Sequence, residues 1–426
     1  MCGKRPGIKK AALLFLILCL FRLNVLTASD FSIHGSFKFF TLGILNPAFE
    51  QNLYGINTNV LKLDGALYPT SWLGFDIAYK IYSRIDSEAL SLSSLSLARR
   101  STGYRIGDIP ERLFPCEDEN LKNIGLYNDL DRAFITVSLT FADVYIGRQA
   151  ISWGSARVIN PTDILAPYSF NEIDTEEKRG VDAARIRIPV GAMNEIDLGY
   201  VTGEDFAYAN SAIFARTKFY VLQTDVTMLV MDFRENLLGG LDITRSIGRA
   251  GSWVEASYVL PDVFSTEKNP DIDADYFGLS AGLDYSFSGK LYGYAEYHLN
   301  TSGKKDPVDY MDIIENHADY PAYNEGNLYL LGRHYLMIGT TYNLLPLLPV
   351  SALLMLNIND WSAMLCISGE YNIEENIYIS SGFNIGIGEK PETATLPGSS
   401  LPIPTDFNSE FGAYPDLFYL GVKIYF

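Results

Sequence analysis

Runs in which apolar and polar residues strictly alternate recur along most of the chain. Phe75, Ile77, Tyr79 and Ile81 interleave with Asp76, Lys80 and Arg84, and Ala184, Ile186 and Ile188 with Arg185 and Arg187. Further on, Leu279, Ala281, Leu283 and Tyr285 oppose Gly282 and Asp284, while Ala295, Tyr297 and Leu299 oppose Glu296 and His298. A period of two sends successive side chains to opposite faces of a strand, so each run predicts a strand with one apolar and one wet face. Reading the whole chain this way gives about 18 strands, with about 16 as the alternative. A few runs leave their phase open, notably Asp143 to Trp153.

The connections alternate in length. Short turns are predicted at 69–72, 142–143, 191–194, 223–224, 248–251, 288–289, 346–349 and 374–376. Long loops are predicted at 86–131, 152–180, 261–275, 301–326 and 388–415. An all-β chain with an apolar face on every strand suits a single-chain, antiparallel transmembrane β-barrel, in which each backbone group is paired and each apolar face meets lipid. A one-residue slip would turn every polar side chain into hydrocarbon, so the register is fixed by the pattern. The short turns then mark the periplasmic end, which also receives both termini, and the long loops the outside.

The two chain ends carry signals of their own. Lys4, Arg5, Lys9 and Lys10 precede an apolar run from Ala11 to Phe21, followed by Thr27, Ala28 and Ser29. This reads as a secretory signal peptide over 1–29, because the apolar core falls short of the roughly 20 residues a spanning helix needs. Cys19 sits behind Ile17 and Leu18 and not behind small residues, which argues against lipidation. At the other end Phe418, Leu420, Val422, Ile424 and the terminal Phe426 share one face. This pattern resembles the closing strand and assembly signal of outer-membrane β-barrels, which implies barrel-assembly machinery and outer-membrane lipid as partners.

Composition agrees: 28 Tyr, 24 Phe and 35 Gly suit aromatic girdles and glycine-tolerant strands. Losing the signal peptide removes five of 33 basic residues and no acidic one, leaving 28 against 51 and a net charge of −23. So acidic a chain is a poor partner for nucleic acid. Of four cysteines only Cys116 and Cys366 remain, with no metal-site spacing, and both are read as unpaired. Asp271, Asp273 and Asp275 lack the Gly and terminal Glu of a calcium loop and read as a solvated cluster. No cofactor or metal is expected.

Sorting the wet-face charges by strand gives two arcs. Lys80, Arg84, Arg132, Arg148, Arg185, Arg187, Arg216 and Lys218 form a basic arc on the third to eighth strands. Asp232, Asp242, Glu255, Asp284, Glu296 and Glu370 form an acidic arc on the ninth to sixteenth. Two readings stay open: a transverse field that orients dipolar solutes, or cross-strand pairing that only stabilises the sheet.

The least generic segment is GRQAISWGSARVINPTDILAPYSF, residues 147–170. Gly147-Arg148-Gln149, Ile151, Trp153-Gly154, Asn160-Pro161 and Asp163 resemble a segment of bacterial outer-membrane barrels of the porin type. The Gly-Arg-Gln element is also loosely similar to alginate-export channels. The detailed likeness spans these 24 residues, and it implies transport without naming a solute. Gly154 permits any backbone angle, and Asn160-Pro161-Thr162-Asp163 forces a turn. The expectation is a porin-like channel for passive diffusion of small hydrophilic solutes, narrowed by the third loop (152–180) folded inward with Trp153, Gly154, Asn160, Pro161 and Asp163. The alternatives are a surface-exposed adhesion or envelope barrel and an acidic-polysaccharide export channel. A homo-oligomer is left open. Of the histidines His34, His298, His317 and His334, only His298, beside inward Glu296, is placed for chemistry. No nucleophile stands in fixed relation to it, so an enzyme is not expected.

Overall fold

The computed structural model describes residues 30–47, 53–87, 103–107, 112–114, 123–168, 172–265, 275–326, 328–395 and 402–426. The expected signal peptide, Cys116, Asp271 and Asp273 lie outside the described residues.

The strands are β1 (Asp30–Leu45), β2 (Leu53–Thr70), β3 (Leu73–Asp86), β4 (Arg112–Phe114), β5 (Ile124–Ser138), β6 (Asp143–Ala150), β7 (Gly180–Val190), β8 (Asn194–Thr202), β9 (Ala212–Val221), β10 (Thr224–Phe233) and β11 (Asn236–Ile247). They continue with β12 (Ala250–Leu260), β13 (Tyr276–Ser286), β14 (Leu291–Asn300), β15 (His334–Leu345), β16 (Leu348–Asn357), β17 (Ala363–Glu374), β18 (Ile377–Ile387), β19 (Glu392–Thr395), β20 (Pro402–Asp406) and β21 (Asp416–Tyr425). β19 and β20 form a separate hairpin and β4 is a short flap on β5. The other 18 pair antiparallel, each with its chain neighbour, and β21 closes on β1, making an 18-stranded barrel. All eight predicted short turns fall between strands that pair.

Closure is direct at the last residue. Gly35 donates its N–H to the Phe426 carbonyl at 2.7 Å, and Phe426 donates its own to Gly35 at 2.9 Å. Phe418, Leu420 and Phe426 are exposed on the outer face, whereas Leu417 and Lys423 are buried inside. The same alternation runs round the wall: Phe75, Ile135, Ile146, Leu198, Met228, Val254, Leu283 and Ile338 are all exposed outward. The start of β1 and the end of β21 lie at the short-turn rim.

Two expected boundaries move. The 86–131 loop ends early, because β5 begins at Ile124; between Ala78 and Tyr79 its partner jumps from Arg132 to Leu130, leaving Asp131 as an extra residue. Such a bulge flips the phase of alternation, so the pattern is legible only after it. The 301–326 loop runs on to Arg333, since the apolar run Leu328 to Leu331 packs inside the barrel as loop and joins no barrel strand.

Candidate functional site: a loop carried inside the barrel

The connection from β6 to β7, residues 151–179, leaves the rim at Gly154. That glycine has a φ of +106°, and an added Cβ would sit 2.3 Å from the Asn160 side chain. The chain then turns through Asn160–Asp163, with the Asp163 N–H donating to the Asn160 carbonyl at 3.1 Å. Trp153 is buried edge-on against Phe214 of β9, ring centroids 4.7 Å apart. Ile151, Trp153, Ile164 and Leu165 join inward residues of β7–β13 in one apolar cluster, so this segment lies within the barrel.

Glu255 and Glu296, on the inner faces of β12 and β14, hold it there. Glu255 has no exposed surface and accepts from the N–H groups of Ser155 (3.0 Å), Ala156 (3.1 Å) and Thr162 (3.0 Å) and from the Thr162 hydroxyl (2.7 Å). Glu296 accepts from the N–H groups of Arg157 (2.7 Å), Val158 (3.2 Å) and Ile159 (3.2 Å) and from the Trp253 indole (2.9 Å). The Ser155 hydroxyl donates to Asp242, and Arg157 pairs with Asp284 at 2.5 Å. Four of the six acidic-arc residues therefore receive the loop. Charge-assisted bonds from backbone N–H to carboxylate are about twice as strong as neutral ones.

The far half of the loop docks on the opposite chemistry. Lys423, Lys38, Lys62 and Lys80 stand on four adjacent strands, β21, β1, β2 and β3, all directed inward. Asp174 and Glu176 pair with Lys38 at 2.9 and 2.6 Å, Glu176 with Lys423 at 2.6 Å, and Glu177 with Lys62 at 2.5 Å. Partial burial would raise the Glu176 carboxyl, but hydrogen bonds from Lys38, Lys423 and Tyr425 outweigh it and hold the pKa at about 2. Glu177 is likewise lowered, burial being outweighed by Lys62 and the other nearby cations. Burial pushes Asp163 up, against the pull of Lys178 at 2.8 Å. The described parts of one connection thus dock on two walls, one acidic and one basic.

The basic arc is mostly paired along the wall itself. Arg185 bonds Asp197 at 2.8 and 2.5 Å, Arg187 bonds Glu195 at 2.5 Å, Arg216 approaches Glu195 at 3.4 Å, and Lys218 meets Asp225 at 3.0 Å. Lys80 pairs with Asp131 at 3.1 Å, Arg84 with Asp86 at 2.8 Å, and Arg132 lies 3.9 Å from Asp131. Glu370 pairs with Lys423 at 2.8 Å.

Two members leave the inner wall. Arg148 shares the phase of outward Ile146 and stands opposite Asp182, which it binds at 2.7 and 3.0 Å while also donating to the carbonyls of Leu130 and Gly107. It is a buried clamp under residues 104–107. Asp232 shares the phase of exposed Met228 and Val230 and accepts from Tyr208 at the loop rim. Lys38, Lys62 and the acidic run at 174–177 escaped the sequence reading. Their signal was present: Lys423 alternates onto the wet face, and the loop carries carboxylates in sequence.

Similarity to known proteins rests on shape. No protein-family model matches the chain, and no curated protein matches it by sequence. Among solved structures, OccAB4 of Acinetobacter baumannii aligns over 95% of this chain and 99% of its own at 9% identity, TM-score 0.53. OccAB2 of the same organism aligns over 93% and 98% at 8% identity, TM-score 0.53. OccD3 (OpdP) of Pseudomonas aeruginosa aligns over 92% and 91% at 10% identity, TM-score 0.50. The likeness is one of fold.

Beneath the loop lies a cavity of about 380 Å³. Loop residues between Arg157 and Tyr168, the inner faces of β12–β14, Gly326 and residues 328–330 line it. His298, which the sequence singled out, is on its wall. Its Nδ1 lies 2.9 Å from the Ser280 hydroxyl, which itself donates to the Ile159 carbonyl at 2.6 Å. The one hydroxyl proton is thus taken, so Nδ1 carries the hydrogen and donates it to the Ser280 oxygen, and His298 cannot act as a base toward that serine. Cys366 is a free thiol facing inward, and among the described residues no three His, Cys, Asp or Glu side chains gather as metal ligands would.

Proposed function

We propose that this chain is an outer-membrane channel for passive diffusion of small hydrophilic solutes, narrowed by residues 152–180. The observation that carries the reading is the double anchoring of that loop: a segment fixed by backbone N–H groups to one wall and by carboxylates to the other would narrow a solute path between them. The closed barrel with an outward apolar belt supports insertion into lipid. The alternation of short turns and long loops supports periplasmic termini, and the exposed Phe426 face supports recognition by barrel-assembly machinery.

Polysaccharide export finds less support, since loop carboxylates already neutralise the inward lysines. The test is single-channel conductance and ion selectivity of the refolded mature chain, with and without residues 155–170. Deletion removes the bonds to Glu255 and Glu296, and conductance should rise. Silence in both folded proteins would reject the channel and favour a barrel that displays its loops.

A further inference from the structure

We propose that the cavity under the loop is a binding site for a neutral, polyhydroxylated solute of saccharide type. This deepens the channel reading and rests on it for access. Three observations converge.

The first is hydrogen-bonding capacity. The Ser280 hydroxyl, donating to Ile159, puts the His298 proton on Nδ1, which leaves Nε2 a bare acceptor, and this atom has no protein partner although His298 is only 1% exposed. The Tyr276 hydroxyl, on the same wall, is also buried and unpartnered. Buried polar atoms normally find partners, so two unpartnered polar atoms in residues that line the cavity favour contents that hydrogen-bond. A bare imidazole nitrogen takes an O–H or N–H donor.

The second is charge. Lys178 is committed to Asp163 at 2.8 Å and Arg157 to Asp284 at 2.5 Å. The cations at the cavity are each matched by a carboxylate, so an ionic solute would lose its hydration without a free counter-charge. A neutral solute suffers no such loss.

The third is surface. Tyr276, Tyr294 and Tyr329 line the cavity beside Tyr168, whose ring carries the Lys178 ammonium at 3.8 Å, and this aromatic lining suits the C–H faces of a sugar ring while its hydroxyls reach polar atoms. The volume of about 380 Å³ falls in the lower part of the roughly 300–1,000 Å³ range of small-molecule sites.

The experiment uses the full mature chain. Sucrose binding is measured by calorimetry in detergent micelles, and sucrose block of ionic current in planar bilayers, with arginine and glutamate as charged comparators. Sucrose should bind and block in preference to both. His298→Phe should weaken it about fivefold, the worth of one hydrogen bond. His298→Gln, which keeps an acceptor and a donor, should retain most of the affinity, and circular dichroism establishes that each variant folds. Preference for arginine or glutamate, or equal sucrose affinity in His298→Phe, would overturn the proposal. Sucrose binding in micelles with a silent bilayer would uphold the site and reject the channel; conduction indifferent to sucrose would do the reverse.

Discussion

Glu255 offers the sharpest test of how the loop is held. Its Oε2 accepts from the N–H groups of Ser155 and Ala156, and its Oε1 from the N–H and hydroxyl of Thr162. Glu255→Ala leaves three backbone N–H groups without an acceptor, since only the hydroxyl can rotate to a new partner. At about 1 kcal/mol each, the low end for a buried donor because water can enter beside the cavity, the loop loses about 3 kcal/mol of docking energy. Glu255→Gln behaves differently. With its oxygen toward Ser155 and Ala156, its amide can donate to the Thr162 hydroxyl, and only the Thr162 N–H is orphaned, costing about 1 kcal/mol. At 1.4 kcal/mol per tenfold, amide exchange in 155–162 should accelerate roughly 100-fold in the alanine variant and about fivefold in the glutamine variant. Hydrogen exchange by mass spectrometry reads both, with strand amides as internal reference. Equal acceleration in the two variants, or none in either, would refute the reasoning.

Other outcomes follow from the same geometry. The Glu176 carboxyl is depressed from 4.5 to about 2, so its contribution to docking is complete above pH 4.5 and is lost as pH falls through about 2; loop proteolysis should be unchanged at pH 5 and rise below pH 3. Glu410, on the short helix Glu410–Ala413, is raised to about 7 by burial, even though Tyr335 and the Leu331 N–H donate to it. Its folded state holds a proton that the unfolded state has released, so docking of residues 328–332 weakens as pH rises from 4.5 to about 7 and is then level. Protection factors there should be higher at pH 5 than at pH 8. Lys423→Met should loosen 174–177 by about 1 kcal/mol, discounted for screening because Glu176 is 35% exposed, with a rise in current noise as the readout. Removing Phe426 deletes both backbone bonds to Gly35 and should lower the yield of folded barrel on a heat-modifiability gel.

The barrel was legible because each strand had to show one apolar face, and the eight short turns fell where that alternation broke. Legibility failed where backbone geometry intervened. The bulge at Asp131 inverted the phase of β5, and Gly147, at a φ of +122° and with a neighbouring carbonyl 2.3 Å from where a Cβ would lie, sits in the stretch whose phase stayed open. Residues 328–331 are an unbroken apolar run, which reads equally well as a buried strand, yet they pack inside the barrel as loop, a choice decided by tertiary packing. For the site, alternation found Glu255, Glu296 and His298, but it could not say that backbone N–H groups would occupy the carboxylates. Arg148 lies in the stretch whose phase stayed open, and Met228 to Met231 are apolar on both faces, so neither its phase nor that of Asp232 was legible and both were grouped with residues they do not face.

Lys38 of β1 and Lys423 of β21 are direct partners in register, so the two ends of the chain meet with like charges opposed. Such pairs repel, and this one lies at the join between the first and last strands of the barrel. Glu176 binds both. Closure of the cylinder and docking of the loop are therefore coupled: the carboxylate that fixes 174–177 to the wall also bridges the seam from within, beside the Asp174 and Glu370 pairs.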